Sequence, residues 1–354
     1  MSVQRLHTKA ATPPGRPTAD VGVVVIGRNE GERLRRCLKS IRPQCDRIVY
    51  VDSGSEDDSV TFARSLGVEV VQLDTSIPFT AARARNEGLR RLRKLAPSVE
   101  FVQFVDGDCE LVAGWIEVAL RVFDEEPTAT VVCGRVHERF RNATIYNRLC
   151  DMEWNTPVGE AEACGGIALM RAAAVERAGY FDPGLICGEE ADLCRRLRAR
   201  GGVVLRIDAD MTLHDAAMTR AIQWWRRSKR GGFGSADALY RLGSAASESD
   251  KHAVRGVIMW VAVLPALLVI LLAATIFLGV SGIALSLVGA AFALLVAQTG
   301  RLAWSRVSGR GEKLADAWLY ALSLMASKLP KAAGMLRCWR LRRRGEMARI
   351  IEWR

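Results

Sequence analysis

The sequence predicts an α/β fold, a Rossmann-like and mainly parallel sheet over residues 21–218, followed by a C-terminal transmembrane helical hairpin. Three observations carry this expectation. Up to about residue 215, short β-rich runs alternate with stretches of helical spacing, and the strands are continuously apolar, as in a parallel sheet covered on both faces. Three polar turns, Gly27-Arg28-Asn29-Glu30, Asp52-Ser53-Gly54 and Asp106-Gly107-Asp108, each close one of those strands. Residues 256–300 contain no charged side chain.

The elements follow in order. VGVVVIG (21–27) is a strand, and 30–41 has helical spacing. RIVYVDSG (47–54) is a strand, and 57–66 a helix. VEVVQL (68–73), a helix over 81–95, and EFVQFVD (100–106) continue the alternation, and VVLRID (203–208) is a later strand. Ligands on such sheets sit beyond the carboxyl ends of the strands, so the three polar turns converge on one edge. The third turn raises a question of charge. Burying one ionised carboxylate is costly, and two together cost more, so Asp106 and Asp108 call for a cation.

Composition narrows the class. The chain has 354 residues, is 49% apolar and carries a net charge of +11, which points to an acidic partner such as nucleic acid, a phosphorylated substrate or anionic lipid. Nine cysteines without a CxxC pair fit a reducing compartment better than a disulfide scaffold, and a count of only four histidines argues against a His-rich metal site. Residues 1–20 are polar, basic and proline-rich without an apolar core, which predicts a disordered tail and no signal peptide.

An uninterrupted helix over 256–300 would run roughly 65 Å, about twice the hydrocarbon thickness of a bilayer. GVSG (279–282) supplies a turn, giving two spans near 256–278 and 283–300. Residues 301–354 hold thirteen Lys/Arg against four Asp/Glu, and an Arg-rich stretch precedes the first span. Basic flanks stay on the cytoplasmic side and are drawn to anionic lipid. The expectation is a multi-pass protein of the cell inner (plasma) membrane with the domain of residues 21–218 on the cytoplasmic side and an amphipathic segment at 219–255. The basic tail 301–354 would carry an interfacial helix at 314–336. Nucleic-acid binding is disfavoured by the adjacency of these cations to the spans.

Six stretches, VVVIGRNE, IVYVDSGSEDDS, AARARNEG, FVDGDC, CGGIALMRAAAVERAGYFDP followed by GEEADLCRRLRARG, and TLHD, stand in an order that resembles the family-2 glycosyltransferases of the GT-A fold, an inverting, nucleotide-sugar-dependent class. The resemblance covers residues 21 to roughly 230. It implies a nucleotide-diphosphate sugar donor and a divalent cation, Mg2+ or Mn2+, bridging carboxylate and pyrophosphate oxygens and stabilising the leaving diphosphate.

The resemblance also implies roles. Asp106 lies towards the ribose, Asp108 ligates the metal, and His214 is a further ligand. Asp52 contacts the nucleoside, and Arg85-Asn86 match a donor-binding Arg-Asn pair. Cys164-Gly165-Gly166 match a small-residue turn that lets substrate approach the backbone. Glu30 and Arg28 close the first strand. Arg28 stands where the family often has an aromatic residue, and an arginine there can stack on a base or meet a phosphate. The family's G-E-D-x-D motif is Gly188-Glu189-Glu190-Ala191-Asp192 in this chain. Glu190 takes the place of the base, with Asp192 and Glu189 as alternatives. Gln223 and Arg226 have the spacing of a Gln-x-x-Arg acceptor stretch.

The function these features predict is a membrane-associated, metal-dependent, inverting sugar transfer to a lipid-linked or membrane-proximal glycan acceptor, as in polysaccharide biosynthesis. Two alternatives are a nucleotidyltransferase, which the acidic IGRNEGERL loop disfavours, and a catalytically inactive nucleotide-sugar-binding scaffold on the membrane.

Overall fold

A computed structural model describes residues 20–280 and 282–346. The expected N-terminal tail lies outside the described residues except for Asp20, as does the stretch 347–354 of the basic tail. The chain divides into two compact units, residues 1–217 and 218–354.

In the first unit, β1 (Val21–Gly27), β2 (Ile48–Asp52), β3 (Glu69–Gln72) and β4 (Phe101–Asp106) lie side by side in the order β3-β2-β1-β4, all parallel. β1, β2 and all of β4 but its last residue are almost wholly buried. That is why their sequences are continuous rather than alternating apolar runs. Helices α1 (Glu32–Ile41), α2 (Ser59–Ser65) and α3 (Ala81–Leu95) make the crossovers. Beyond β4 the sheet is mixed. β5 (Cys109–Leu111), β6 (Ala129–Glu138), β7 (Gly159–Glu160), β8 (Ala168–Arg171) and β9 (Val203–His214) extend it in the order β4-β8-β6-β9-β5, with β7 also on β9. β8, β7 and β5 run against their neighbours, whereas β9 is parallel to β6. The carboxyl ends of β1, β2, β4 and β9 therefore share one edge. Helices α4 (Trp115–Glu125), α5 (Ile145–Trp154), α6 (Ala172–Arg177) and α7 (Glu189–Arg198) complete the unit. A polar group in its core is satisfied internally: Gln103 of β4 accepts from Trp115 Nε1 at 2.8 Å and donates to the Phe104 carbonyl at 2.8 Å.

The second unit is helical. α8 (Ala221–Leu242) leads by a 3-10 turn to α9 (Glu248–Ile258), which continues through one π-helical stretch (Met259–Val263) into α10 (Leu264–Phe277). Pro265 lacks the N–H that would bond one turn back, a common cause of such a local irregularity. α11 (Gly282–Arg310) follows. Glu248–Phe277 (30 residues) and Gly282–Arg310 (29 residues) are long and apolar enough to cross a membrane, by length and composition. They expose Ile270, Phe277, Leu285 and Phe292, side chains that water does not favour.

Over 314–336, where one interfacial helix was expected, there are two: α12 (Leu314–Ala326) and α13 (Lys328–Arg344). Pro330 has no N–H to donate to the carbonyl of Ala326, which favours a break between the two helices there. α13 packs on α8 at backbone distance. A Cβ on Gly232 would sit 2.3 Å from the Lys331 carbonyl oxygen, and one on Gly334 2.0 Å from that of Lys229. The buried Asp237 of α8 accepts from Arg342 Nε at 2.9 Å across the same contact.

Candidate active site

The Asp106-Gly107-Asp108 turn joins β4, in the middle of the sheet, to β5 at its edge. Gly107 is needed for space, because a Cβ there would lie 3.2 Å from both the Ile26 carbonyl oxygen and Glu30 Cγ. The turn is held by Gly107 N–H on the Ile26 carbonyl (2.8 Å) and by Asp215 N–H on the Asp108 carbonyl (3.0 Å). In the β5–β9 ladder Cys109 is paired with His214, and this register sets Asp108 beside the histidine.

The two carboxylates have separate partners. Asp106 Oδ1 accepts from Arg85 Nη2 at 3.0 Å, while Asp108 Oδ2 lies 2.9 Å from His214 Nε2. The motif alone did not show that Asp106 has a cation of its own. Arg85 also donates to Glu189 Oε1 at 2.6 Å, so one buried guanidinium ties the end of β4 to the start of α7. Burial by itself would lower the pKa of Arg85. The charges of Asp106, Glu189 and Glu190 outweigh it, and the pKa is raised. Gly166, in the left-handed region at φ 92°, lies against this arginine, and a Cβ there would come within 3.1 Å of Nη2.

Asp108, Cys109 and His214 place one potential ligand atom each within 4.8 Å of one another. Two cis ligands on an octahedral Mg2+ or Mn2+ at about 2.1 Å are about 3.0 Å apart, so the separation of Asp108 Oδ2 and His214 Nε2 fits such an ion. Sequence reasoning did not pick out Cys109. Its thiol donates to Asp108 Oδ1 at 3.4 Å, and burial, reinforced by Asp106, pushes its pKa well above the usual value, which leaves it a proton-bearing neighbour of the pair.

α7 starts at Gly188, which takes the left-handed conformation at φ 77°. Glu190 is half-buried. Burial, and next the charge of Glu189, push its carboxyl up to about 7. Asp192 is committed elsewhere: it accepts from Arg195 Nη2 at 2.9 Å and from Arg196 Nε at 2.8 Å. The shift at Glu190 suits a group that exchanges a proton near neutrality.

The remaining residues hold loops. Asp52 is fully buried and accepts from Tyr50 OH (2.9 Å), from the N–H groups of Gly54 (3.0 Å) and Ser55 (2.9 Å), and from Ser55 Oγ. It organises the turn after β2. Asn86 donates to the Phe181 carbonyl (2.8 Å) and accepts from its N–H (2.9 Å), pinning the segment before α7. That scaffold role was not visible in the Arg-Asn motif. Arg28 lies over the Phe79 ring at 4.9 Å and donates to the Gly54 carbonyl at 3.3 Å. Glu30 pairs with Arg33 at 2.9 Å. Gly165 has φ 78° and precedes Gly166 in the turn. In the second unit, Gln223 is buried, and its side-chain oxygen accepts from the Thr219 and Arg220 N–H groups at 2.9 and 2.8 Å, capping α8. Arg226, one turn on, is exposed.

The fold is a mixed, mostly parallel sheet with this polar edge, and residues 22–176 match the family model described as "Glycosyl transferase family 2". Over those residues the chain is similar to the family 2 glycosyl transferases. It is 30% identical over 219 residues to a "Pre-mycofactocin glycosyltransferase" of Mycobacterium tuberculosis, an alignment covering 57% of this chain and 44% of that protein. It is 28% identical over 144 residues to a TPR repeat-containing protein of Synechococcus elongatus, covering 40% and 34% respectively. The chain spans less than half the length of these curated relatives. Among solved structures it is similar to the mannosyltransferase PcManGT from Pyrobaculum calidifontis, determined with GDP-Man and Mn2+. The TM-score is 0.55 and the identity 19%, over 90% of this chain and 87% of that one. At that identity the likeness is one of fold.

Proposed function

We propose that this protein transfers a sugar, with inversion, from a nucleoside-diphosphate donor to a lipid-linked or membrane-proximal glycan acceptor. The observation that carries the proposal is the Asp108–His214 pair at 2.9 Å on the sheet edge where ligands of such folds bind. Carboxylate and imidazole together suit a divalent cation that also takes phosphate oxygens, and the fold neighbour was determined with a nucleotide sugar and Mn2+. Asp108 and His214 would hold Mg2+ or Mn2+ here. Bound there, the ion supplies Lewis-acid stabilisation of the leaving diphosphate.

The chain's own residues do the rest. Arg85 holds Asp106 in place to meet the ribose. Arg28, propped on Phe79, faces the nucleotide from the end of β1, and the Asp52 turn frames the nucleoside. The Gly165-Gly166 turn lets the donor approach the backbone without a side chain in the way. Glu190 accepts the proton of the acceptor hydroxyl as its oxygen attacks the anomeric carbon, a single displacement that inverts the configuration. Arg226 is the better placed of the Gln223–Arg226 pair to meet an acceptor, since Gln223 caps its own helix.

A transfer assay tests this reading. Purified full-length protein in detergent, given Mn2+, radiolabelled nucleoside-diphosphate sugars and total membrane lipid extract, should move label into the organic phase, and a chelator should stop it. Release of nucleoside diphosphate without labelled lipid or glycan would remove the proposed acceptor class.

The two apolar helices support a membrane hairpin with both basic flanks in the cytoplasm. Native Cys338 cannot report this, because it is only 2% exposed and sits beside Asp237. Cysteines placed at exposed positions can. Val280→Cys in the turn between the spans should react with an impermeant maleimide in intact cells, and Arg344→Cys should react only after permeabilisation. Reaction of Arg344→Cys in intact cells would contradict the hairpin.

A further inference from the structure

His214 has a second neighbour that no motif marked. The indole of Trp154 stacks on its imidazole, with ring centroids 4.4 Å apart and planes 26° from parallel. The stack is built from outside the metal site. Asn147, Asp151 and Trp154 follow the i, i+4, i+7 spacing and so share one face of α5. Asn147 donates to Glu138 Oε1 at 3.2 Å, and Asp151 Oδ1 accepts from the Glu138 N–H at 3.0 Å. Asp151 Oδ2 accepts from Arg141 Nε at 2.8 Å, and Thr144 caps the helix by accepting from the Asn147 N–H at 3.0 Å. Glu138 is the residue paired with His214 in the β6–β9 ladder. Its buried carboxylate also accepts from the Ala216 N–H at 3.1 Å, just beyond the histidine. One helix face thus grips Glu138 with its first two residues and reaches the paired histidine with its third.

We propose that Trp154 is a positioning residue for His214: by stacking on the imidazole it fixes the ring plane so that Nε2 is presented beside Asp108, and it thereby sets the affinity of the divalent-cation site. This rests on the proposed metal role of Asp108 and His214 and adds a residue to it. A ligand histidine that must be caught in one of several rotamers loses affinity to side-chain entropy. A flat, anchored indole removes that freedom in advance without occupying either ring nitrogen.

The test uses the full chain in detergent and Mn2+ alone as the probe. Free Mn2+ is followed by electron paramagnetic resonance, and His214 by NMR of 15N-histidine-labelled protein. The sequence holds four histidines, and His214→Gln assigns the signal. Trp154→Leu should weaken Mn2+ binding roughly 10–100-fold, the usual cost of losing an outer-shell support of a metal ligand, and should remove the ring-current displacement of the His214 signals. Trp154→Phe keeps a stacking ring and should restore affinity to within a few-fold of wild type. If Trp154→Leu does not fold, Trp154→Phe still decides the matter, since exchanging indole for phenyl must move the His214 signals if the rings are stacked. Unchanged Mn2+ affinity in Trp154→Leu, with Asp108→Ala and His214→Gln both weakened, would overturn the inference and leave the metal site standing. Unchanged affinity in all three would remove the metal reading itself, and the positioning role with it.

Discussion

Glu190→Gln is expected to bind donor as the wild type does while transferring sugar roughly 10²–10⁴-fold more slowly, the usual worth of a positioned base. The substitution keeps the shape of the side chain and removes its basicity. Glu190 is also the acid in its motif whose carboxyl is pushed up to about 7, by burial and by the adjacent Glu189 charge. A base must be ionised to act, so wild-type kcat/KM should rise with pH through about 7 and level off above it, and this acidic limb should be absent from the residual activity of the variant. Stability has the opposite sign. The folded-state pKa lies above the ordinary 4.5 of a glutamate, so the fold favours the neutral form. That contribution is fully present below the unfolded value and is lost as pH rises through about 7. Glu190→Gln should therefore be at least as stable as wild type at pH 8, which separates a chemical defect from a folding defect in one thermal melt. An active Glu190→Gln beside an inactive Asp192→Asn would move the base two residues along, against the two arginines that hold Asp192.

Asp108→Ala is expected to lower Mn2+-dependent nucleotide affinity by roughly 100-fold or more, since it removes a ligand rather than one of the supports whose loss costs 10–100-fold. Asp106→Ala should act differently. Its partner is Arg85, which keeps its contact with Glu189, so Mn2+ binding should persist while donor affinity falls. Equal losses of Mn2+ binding in the two variants would mean that the acids act as one cluster, contrary to their separate partners.

The sequence was informative where the information is local. Continuous apolar runs and turn residues located β1 to β4, and the pattern placed α3 at its observed bounds, because burial on both faces and helical spacing are written in neighbouring residues. The ordered motifs gave the edge on which Asp106, Asp108 and His214 meet. Elements between Cys109 and Glu189 were less legible. β8 is four residues long and antiparallel, and nothing in ALMR distinguishes it from the start of the alanine-rich α6 that follows. The pairings within the site were hidden for another reason. Arg85 and Glu189 are 104 positions apart, and no periodicity relates them. Asn86, Asp52 and Gln223 match ligand-binding motifs, but each has its side chain occupied by backbone in its own unit, which only the fold could reveal. Trp154 carried no signal beyond falling i+7 from Asn147 on one helix face, a pattern that many scaffold residues share.

The most direct measurement is a calorimetric titration of the full chain with a panel of nucleoside diphosphates, with Mn2+ and again with excess chelator. A metal held by Asp108 and His214 beside a bound diphosphate requires that at least one nucleotide bind with Mn2+ present. That binding should weaken by an order of magnitude or more on chelation, and Asp108→Ala should reproduce the weakened state without chelator. A nucleotide that binds wild type equally well with and without the chelator would contradict the metal-dependent donor site.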